Sequence, residues 1–409
     1  MAAAAIYSVM TGDIHGYKMR VESALRTLGG EDFPEEDKAS IRSFVEHLRV
    51  KNLSDGRIAK YIFALIVFRR HLTCNFREAA RPEIEKVVLW LNSHDYTPKT
   101  RADMKILLRI FYRWVRHGNT DKKTPYPPEV AWIETGLKPS EDTLPVYLTE
   151  GEVKRMIDNA PSLRDRAIIA FDYEAGYRVS ELLGLQLRDL HFEEHGVRVA
   201  VRRGKTGARS ILLIACVPLL TSYLQNHPRR DESDAPAWIH FGTRNKYERL
   251  SYAAFNKMLR ETAKKAGIAK KVSTHTLRHS AATRDAKFLT YSELCAKYGW
   301  RIGSRMPQVY IHLAGSDLDA KIIAMNTGKP VEVKTEFRPI PCPRCGEKGT
   351  PGQRFCPRCG SPLDEKELAR ASVQYEELKK QSDEIKSLLE KALASRGRRI
   401  SRSPQARNA

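Results

Sequence analysis

Five separated strings of this 409-residue chain carry residues that could together handle a phosphodiester. Arg178 lies in GYRVSELLGL, Lys205 in RRGKTGARSILL, His275 and Arg278 in HTLRHSAAT, Trp300 at the end of KYGW, and Tyr310 in MPQVYIHL. Guanidinium forks match phosphate oxygens, a lysine can protonate a departing oxygen, and a tyrosine can attack phosphorus. His275 and Arg278 stand one helical turn apart, so they can face the same phosphate, and His275 can give or take a proton near neutral pH. His279, the next residue, is expected to point elsewhere on that helix. Glu181, three residues beyond Arg178, can brace its guanidinium.

The elements that must position these groups are legible around them. Arg178 follows a glycine and precedes an apolar helix, with helices expected at Ala167–Phe171 and Leu182–Leu187. Val197–Val201 and Ser210–Ile214 are β-branched runs flanking Gly204–Gly207, a pattern for a hairpin with Lys205 at its tip. Arg202, Arg203 and Arg209 crowd the same hairpin. Helices are expected near Tyr252–Ala266, Thr276–Lys287 and Ser292–Tyr298. This mixed region, 147–325, opens on the cap Leu148-Thr149-Glu150.

Upstream, 1–34 is a lead-in in which Met19–Leu28 forms a short helix, and 35–120 reads as all-helical. Ser54–Leu72 places Ile58, Ile62, Leu65 and Ile66 on one face. A helix from Thr97-Pro98 to Gly118 carries Arg101, Lys105, Arg109, Arg113 and Arg116 as one ridge, with Asp103 its only acid. Duplex DNA is the partner this ridge suggests. Prolines at 125, 127, 128, 139 and 145 make 121–146 a linker.

The formal net charge of +21 points to a polyanion, with nucleic acid ahead of an anionic membrane. There is no apolar run of about 20 residues to span a bilayer, and Met1–Ile6 lacks the features of a secretory leader. A cytoplasmic protein is expected. Of seven cysteines, Cys342, Cys345, Cys356 and Cys359 are clustered in two CPRCG knuckles. Four thiolates at this spacing predict a closed structural zinc site in a ribbon spanning 338–364, with no open position for catalysis. Arg344 and Arg358 beside it favour nucleic acid as the ribbon's contact, an accessory protein being the alternative. A charged helix over 365–394, with a partial heptad suited to self-association, and a basic disordered tail over 395–409 complete the chain.

GYRVSELLGL resembles the first arginine box of the tyrosine recombinases, also called phage integrases, and HTLRHSAAT resembles the second. Lys205 matches the family's hairpin lysine, and Tyr310-Ile311-His312 matches its Tyr-x-His nucleophile motif. His312 is given no catalytic role. Many members carry Leu-Gly-His where this chain has Tyr298-Gly299-Trp300. An indole N–H can donate one hydrogen bond but cannot act as an acid or base near neutrality, so proton transfer is expected to fall on Lys205 and His275. The string GWxxGSxMPxVYxHLxG is most similar to archaeal integrases. The resemblance implies an all-α core-binding domain and a mainly α (α+β) catalytic domain clamped on a specific recombination site in double-stranded DNA. Tyr310 would form a 3′-phosphotyrosyl link and free a 5′-hydroxyl, with the transition-state charge held by Arg178, Arg278, His275 and Trp300. It further implies a tetramer on DNA and no catalytic metal or nucleotide. A DNA-binding protein of the same fold with altered catalysis, and a type IB topoisomerase, are the alternatives.

Overall fold

The computed structural model describes residues 13–136, 145–201, 207–243, 245–314, 318–327, 337–363 and 365–400. The chain divides into two compact units, Met1–Leu144 and Pro145–Ala409.

The first unit contains α1 (Tyr17–Gly30), α2 (Glu35–Val50), α3 (Asp55–Arg70), α4 (Arg81–Ser93), α5 (Pro98–His117) and the single turn α6 (Pro128–Ala131). Ile58, Ile62, Leu65 and Ile66 are buried, as their spacing predicts, and meet Leu108 and Phe111 from α5. Phe44 sits edge-on to Tyr61 and Phe111, with ring centroids 5.4 and 5.2 Å away. Asp37 is buried with both oxygens engaged: one accepts from Arg69 Nε at 2.5 Å, the other from the Phe76 backbone N–H at 2.9 Å. That pairing ties the loop after α3 to the start of α2 and leaves no unmet acceptor. Helix α5 begins as expected, Thr97 Oγ1 accepting from the Thr100 N–H at 3.2 Å, and ends at Gly118 with φ 66°. Two differences from the sequence reading appear. Helix α1 runs longer than Met19–Leu28 and includes both glycines, and α6 interrupts the proline-rich linker. Proline fits a first helical turn, and Val130 behind it is fully buried.

The second unit opens with α7 (Glu150–Asn159), closed by a reciprocal cap. Thr149 Oγ1 accepts from the Glu152 N–H at 3.2 Å, and Glu152 accepts from the Thr149 N–H at 2.8 Å. Helix α8 (Leu163–Ala175) is buried on nearly every side, with Ala167, Ile168, Ile169, Ala170 and Phe171 all at 0% exposure. Such a helix forms the centre of a unit rather than its surface. The chain leaves α8 at Gly176, φ +62°, where a Cβ would lie 2.4 Å from Tyr298 Cε1. Glycine is required there on both counts. Helix α9 (Val179–Gly184) is followed by a 3-10 turn (Leu187–Asp189), so the helix expected through Leu187 breaks at Gly184.

Three antiparallel strands follow in the order β1 (Leu190–Glu193), β2 (Gly196–Val201), β3 (Arg209–Leu213), with Leu190 opposite Val199 and Val199 opposite Ile211. The β2–β3 hairpin lies where the β-branched runs put it. Its tip, with Arg202, Arg203 and Lys205, lies outside the described residues. Strand β1 was not legible, since three of its four residues are exposed. Helices α10 (Val217–Gln225), α11 (Tyr252–Lys265), α12 (Thr274–Asp285), α13 (Tyr291–Tyr298), α14 (Met306–Ala314) and α15 (Leu318–Thr327) complete the helical part.

A two-stranded ribbon, β4 (Ile340–Pro341) with β5 (Lys348–Gly349), then packs on these helices. Thr350 is fully buried, and its Oγ1 accepts from the Leu219 N–H in α10 at 3.3 Å. Gly352 approaches so closely that a Cβ would lie 2.7 Å from the Lys154 carbonyl oxygen. Phe337 meets Tyr173 edge-on with centroids 4.6 Å apart. The last helix, α16 (Glu365–Ile400), continues past residue 394 into the stretch expected to be without regular structure. Among the described residues, no helix is long and apolar enough to cross a membrane.

Candidate active site and metal centre

The turn at Gly176, the start of α9, the first turns of α12 and the loop after α13 converge. Arg278, 6% exposed, donates from Nη1 to the Gly176 carbonyl at 2.6 Å and from Nη2 to the Tyr298 carbonyl at 2.8 Å. Arg178 caps α9, donating from Nη2 to the Gly299 carbonyl at 3.2 Å and from Nη1 to Glu181 at 3.0 Å. Glu181 therefore braces Arg178, but it does more. It also accepts from both Nη atoms of Arg209 on β3, at 3.1 and 2.7 Å. Burial alone would raise the Glu181 pKa. The hydrogen bonds from Arg209 and the Arg178 backbone, with both guanidinium charges, instead pull it to about 2. Burial and the Arg178 charge bring Arg278 down to about 10, still charged at neutral pH. Burial pushes the Asp172 carboxyl well above the usual carboxylate range, against the opposing charge of Arg278. Three guanidiniums facing one ionised carboxylate form a hole of positive charge that a phosphate can fill.

Tyr310 on α14 enters the same site. Its ring is 1% exposed and stacks on Trp300, centroids 5.3 Å apart and planes 5° from parallel. Trp300 stacks in turn on Tyr298 at 4.8 Å, whose hydroxyl donates to buried Asp285 at 2.7 Å. Lys297 and Arg284 also donate to Asp285, so the outer end of the stack is fixed by charge. The guanidinium of Arg278 lies 5.6 Å from the Trp300 ring centroid. In this arrangement the indole packs against both the Tyr310 ring and the Arg278 guanidinium.

The structure corrects one expectation here. His279 does not point away: its Nδ1 lies 2.6 Å from the Tyr310 hydroxyl. His275, expected to move protons, lies 6.3 Å away from His279 between ring centroids. Burial and the Arg278 charge lower the His275 pKa, while burial, His275 and Arg278 lower that of His279 to about 4. Burial raises the Tyr310 pKa against the opposing charge of Arg278. The missed signal was in the sequence: positions 275 and 279 are one i,i+4 step apart and share a helix face. Arg209 was seen only as one of several hairpin charges, and nothing local marks its role as second partner of Glu181.

Most of the α5 ridge, read from the sequence as a DNA-contacting row, is engaged within the first unit. Arg109 and Arg113 place their guanidiniums 3.9 and 3.7 Å from the centroid of Tyr126. Arg113 is 5% exposed and donates to the Asp121 carbonyl at 3.1 Å. Arg116 pairs with Glu129 at 2.7 Å and donates to the carbonyls of Arg77 and Ala79. Arg101 donates to the Tyr96 carbonyl at 3.3 Å. These side chains bind the proline-rich segment and neighbouring loops to α5. Burial, then Arg101, lowers the Lys105 pKa.

The Sγ atoms of Cys342, Cys345, Cys356 and Cys359 all lie within 4.8 Å of one another, with Cys342–Cys359 and Cys345–Cys356 each at 3.6 Å. A tetrahedral zinc with bonds of ~2.3 Å would set its sulfurs about 3.8 Å apart, so the four thiols fit that ion. Gly346 and Gly360, at φ 74° and 70°, turn each knuckle back on itself. The Arg344 N–H lies 3.4 Å from Cys342 Sγ and orients it.

Comparison with known proteins matches both regions of the chain to known families. Residues 146–314 match the phage integrase family, and 342–363 match a zinc-ribbon domain. The tyrosine recombinase XerA of Pyrococcus furiosus is 41% identical over 143 residues, which cover 34% of this chain and 48% of that protein. XerA of Pyrococcus horikoshii is 36% identical over 243 residues, 59% of this chain and 78% of that protein. Among solved structures, XerH bound to a palindromic difH substrate as a post-cleavage complex aligns with a TM-score of 0.54 and 16% identity. The alignment covers 76% of this chain and 97% of that one, a likeness of fold.

Proposed function

The chain belongs to the phage integrase family of tyrosine recombinases, and we propose that it cuts and rejoins double-stranded DNA at a specific site through a 3′-phosphotyrosyl link on Tyr310. One observation carries the mechanism: the Tyr310 hydroxyl belongs to the same small site as the excess positive charge of Arg178, Arg209 and Arg278. A scissile phosphate there would meet two arginines held on backbone carbonyls. Their orientation costs little reorganisation when the phosphorus gains charge. His275 and Trp300 would add to that stabilisation, and Lys205 would protonate the leaving 5′-oxygen. The 5′-hydroxyl of another strand reverses the step. One phosphate ester is exchanged for another, so no nucleotide is consumed. The named relatives are recombinases, which favours this reading over a topoisomerase or a non-catalytic binder.

The four cysteines would hold a structural zinc that stiffens the ribbon. Of the α5 ridge, Lys105 is the residue best suited to touch a DNA phosphate, with Arg101, Arg109, Arg113 and Arg116 shaping the surface around it. Synapsis of two sites would bring four copies together on DNA, in the cytoplasm. The test is a nicked duplex built from repeats flanking the gene. Wild type should form a denaturation-resistant protein–DNA adduct and Tyr310→Phe none; an adduct that persists in Tyr310→Phe removes Tyr310 as nucleophile.

A further inference from the structure

We propose that His279 is the general base that accepts the phenolic proton of Tyr310 as its oxygen attacks phosphorus, and the acid that returns it on rejoining. The inference rests on the reading of Tyr310 as the nucleophile. Its basis is contact: His279 Nδ1 and the Tyr310 hydroxyl are 2.6 Å apart, and the two rings are 29° from parallel with centroids 5.9 Å apart. Among the described residues, no other hydrogen-bond partner of that hydroxyl is found. Tyr310 is almost wholly buried, so bulk water is poorly placed to take its proton. A group needs hydrogen-bond reach to act as a base, and His279 has it.

The surroundings set the direction of transfer. The charged and titratable neighbours of His279 are Arg278 and His275 on its own helix and Tyr310 packed against it from α14. Burial, with the charge of Arg278 and any on His275, disfavours the imidazolium before DNA binds, and in the Nε2–H tautomer of the neutral ring Nδ1 offers a lone pair. A phosphate arriving between Arg278 and Tyr310 brings negative charge beside that ring and favours its protonation. Base strength would thus rise when the substrate is in place.

The step balances. The Tyr310 O–H bond breaks, its proton passes to His279 Nδ1, and the oxygen's electron pair forms the O–P bond. The P–O5′ bond breaks with its pair on the 5′-oxygen, which takes a separate proton from the leaving-group acid. Rejoining reverses each transfer, the imidazolium proton returning to Tyr310.

The experiment uses the full chain and a nicked duplex on which wild type forms its adduct. His279→Gln keeps an amide oxygen that can accept the phenol hydrogen bond but cannot take the proton, and His279→Ala removes both. Both variants should slow adduct formation by about 10²–10⁴-fold at neutral pH, and free imidazole should restore part of the His279→Ala rate. The same variants are then run on DNA with sulfur in place of the bridging 5′-oxygen. A thiolate leaves without a proton, so that substrate relieves loss of an acid but not of a base, and the defect should persist. A His279→Gln rate within about threefold of wild type would overturn the proposal, leaving His279 a positioning residue. Full recovery on the sulfur substrate would also overturn it, because His279 would then serve the leaving group. If Tyr310→Phe forms the adduct on this duplex as wild type does, the reading of Tyr310 is what fails. Should His279→Ala lose DNA binding in a gel shift, His279→Gln decides alone.

Discussion

Glu181→Gln isolates the electrostatic core of the site. Glu181 is 7% exposed and accepts from the Arg178 backbone N–H, the Arg178 side chain and both Nη atoms of Arg209. Glutamine keeps the shape and one acceptor oxygen but removes the charge. The carboxyl moves from an ordinary 4.5 to about 2, which corresponds to about 3–4 kcal/mol at ~1.4 kcal/mol for each pH unit. Arg178 is partly open to solvent, and screening there reduces the figure to roughly 2 kcal/mol. The sign follows from the depressed value. The stabilisation is fully present above about pH 4.5 and is lost as pH falls through about 2. Calorimetry on wild type and Glu181→Gln should therefore show a constant gap from pH 8 to 5, narrowing below 4.5. Adduct formation at pH 7 should slow by about tenfold or more as Arg178 loses its brace. Equal stability at pH 7, or a gap that stays unchanged down to pH 3.5, would refute the reasoning.

Gly176→Ala combines a left-handed backbone, at about 1–2 kcal/mol, with overpacking against Tyr298, at about 1–3 kcal/mol. It should destabilise the second unit and slow adduct formation, because the Gly176 carbonyl holds Arg278; a variant matching wild type in both contradicts this. Cys356→Ser should lose about one zinc per chain by metal analysis. It should also loosen the Thr350 and Gly352 contacts, seen as faster amide exchange at Leu219; unchanged exchange would show that the ribbon holds without metal. Arg113→Ala should cost the first unit about 1–3 kcal/mol and leave the salt dependence of DNA binding unchanged. Lys105→Ala should lower that salt slope by about one without loss of stability. The opposite pattern would make Arg113 rather than Lys105 the phosphate contact.

What the sequence disclosed and what it hid have physical causes. Caps and breakers act locally, so Thr97, Thr149 and Gly118 announced their helix ends, and the alternating Val197–Val201 run announced its strand. The residues proposed to handle the phosphate sit in compact strings and could be numbered in advance. Four features escaped. Strand β1 exposes His191, Phe192 and Glu193 and is held by pairing with β2, which no local pattern reports. Helix periodicity told which face Arg113 shares, but not that Tyr126, from a segment read as linker, would cover it. The Glu181–Arg209 bond joins residues 28 apart, and the His279–Tyr310 bond joins residues 31 apart. Contacts between elements are a tertiary property, and a spacing rule within one helix shows only the faces available for them.

The phenolic oxygen of Tyr310 is the atom proposed to be joined to DNA. The most direct test of this is to trap the wild-type adduct on a nicked duplex, digest the protein and DNA, and locate the nucleotide by mass spectrometry. The account predicts the added mass on the tryptic peptide Met306–Lys321, with fragment ions placing it at Tyr310. The same mass on a peptide carrying Tyr291, Tyr298 or any other residue would contradict it.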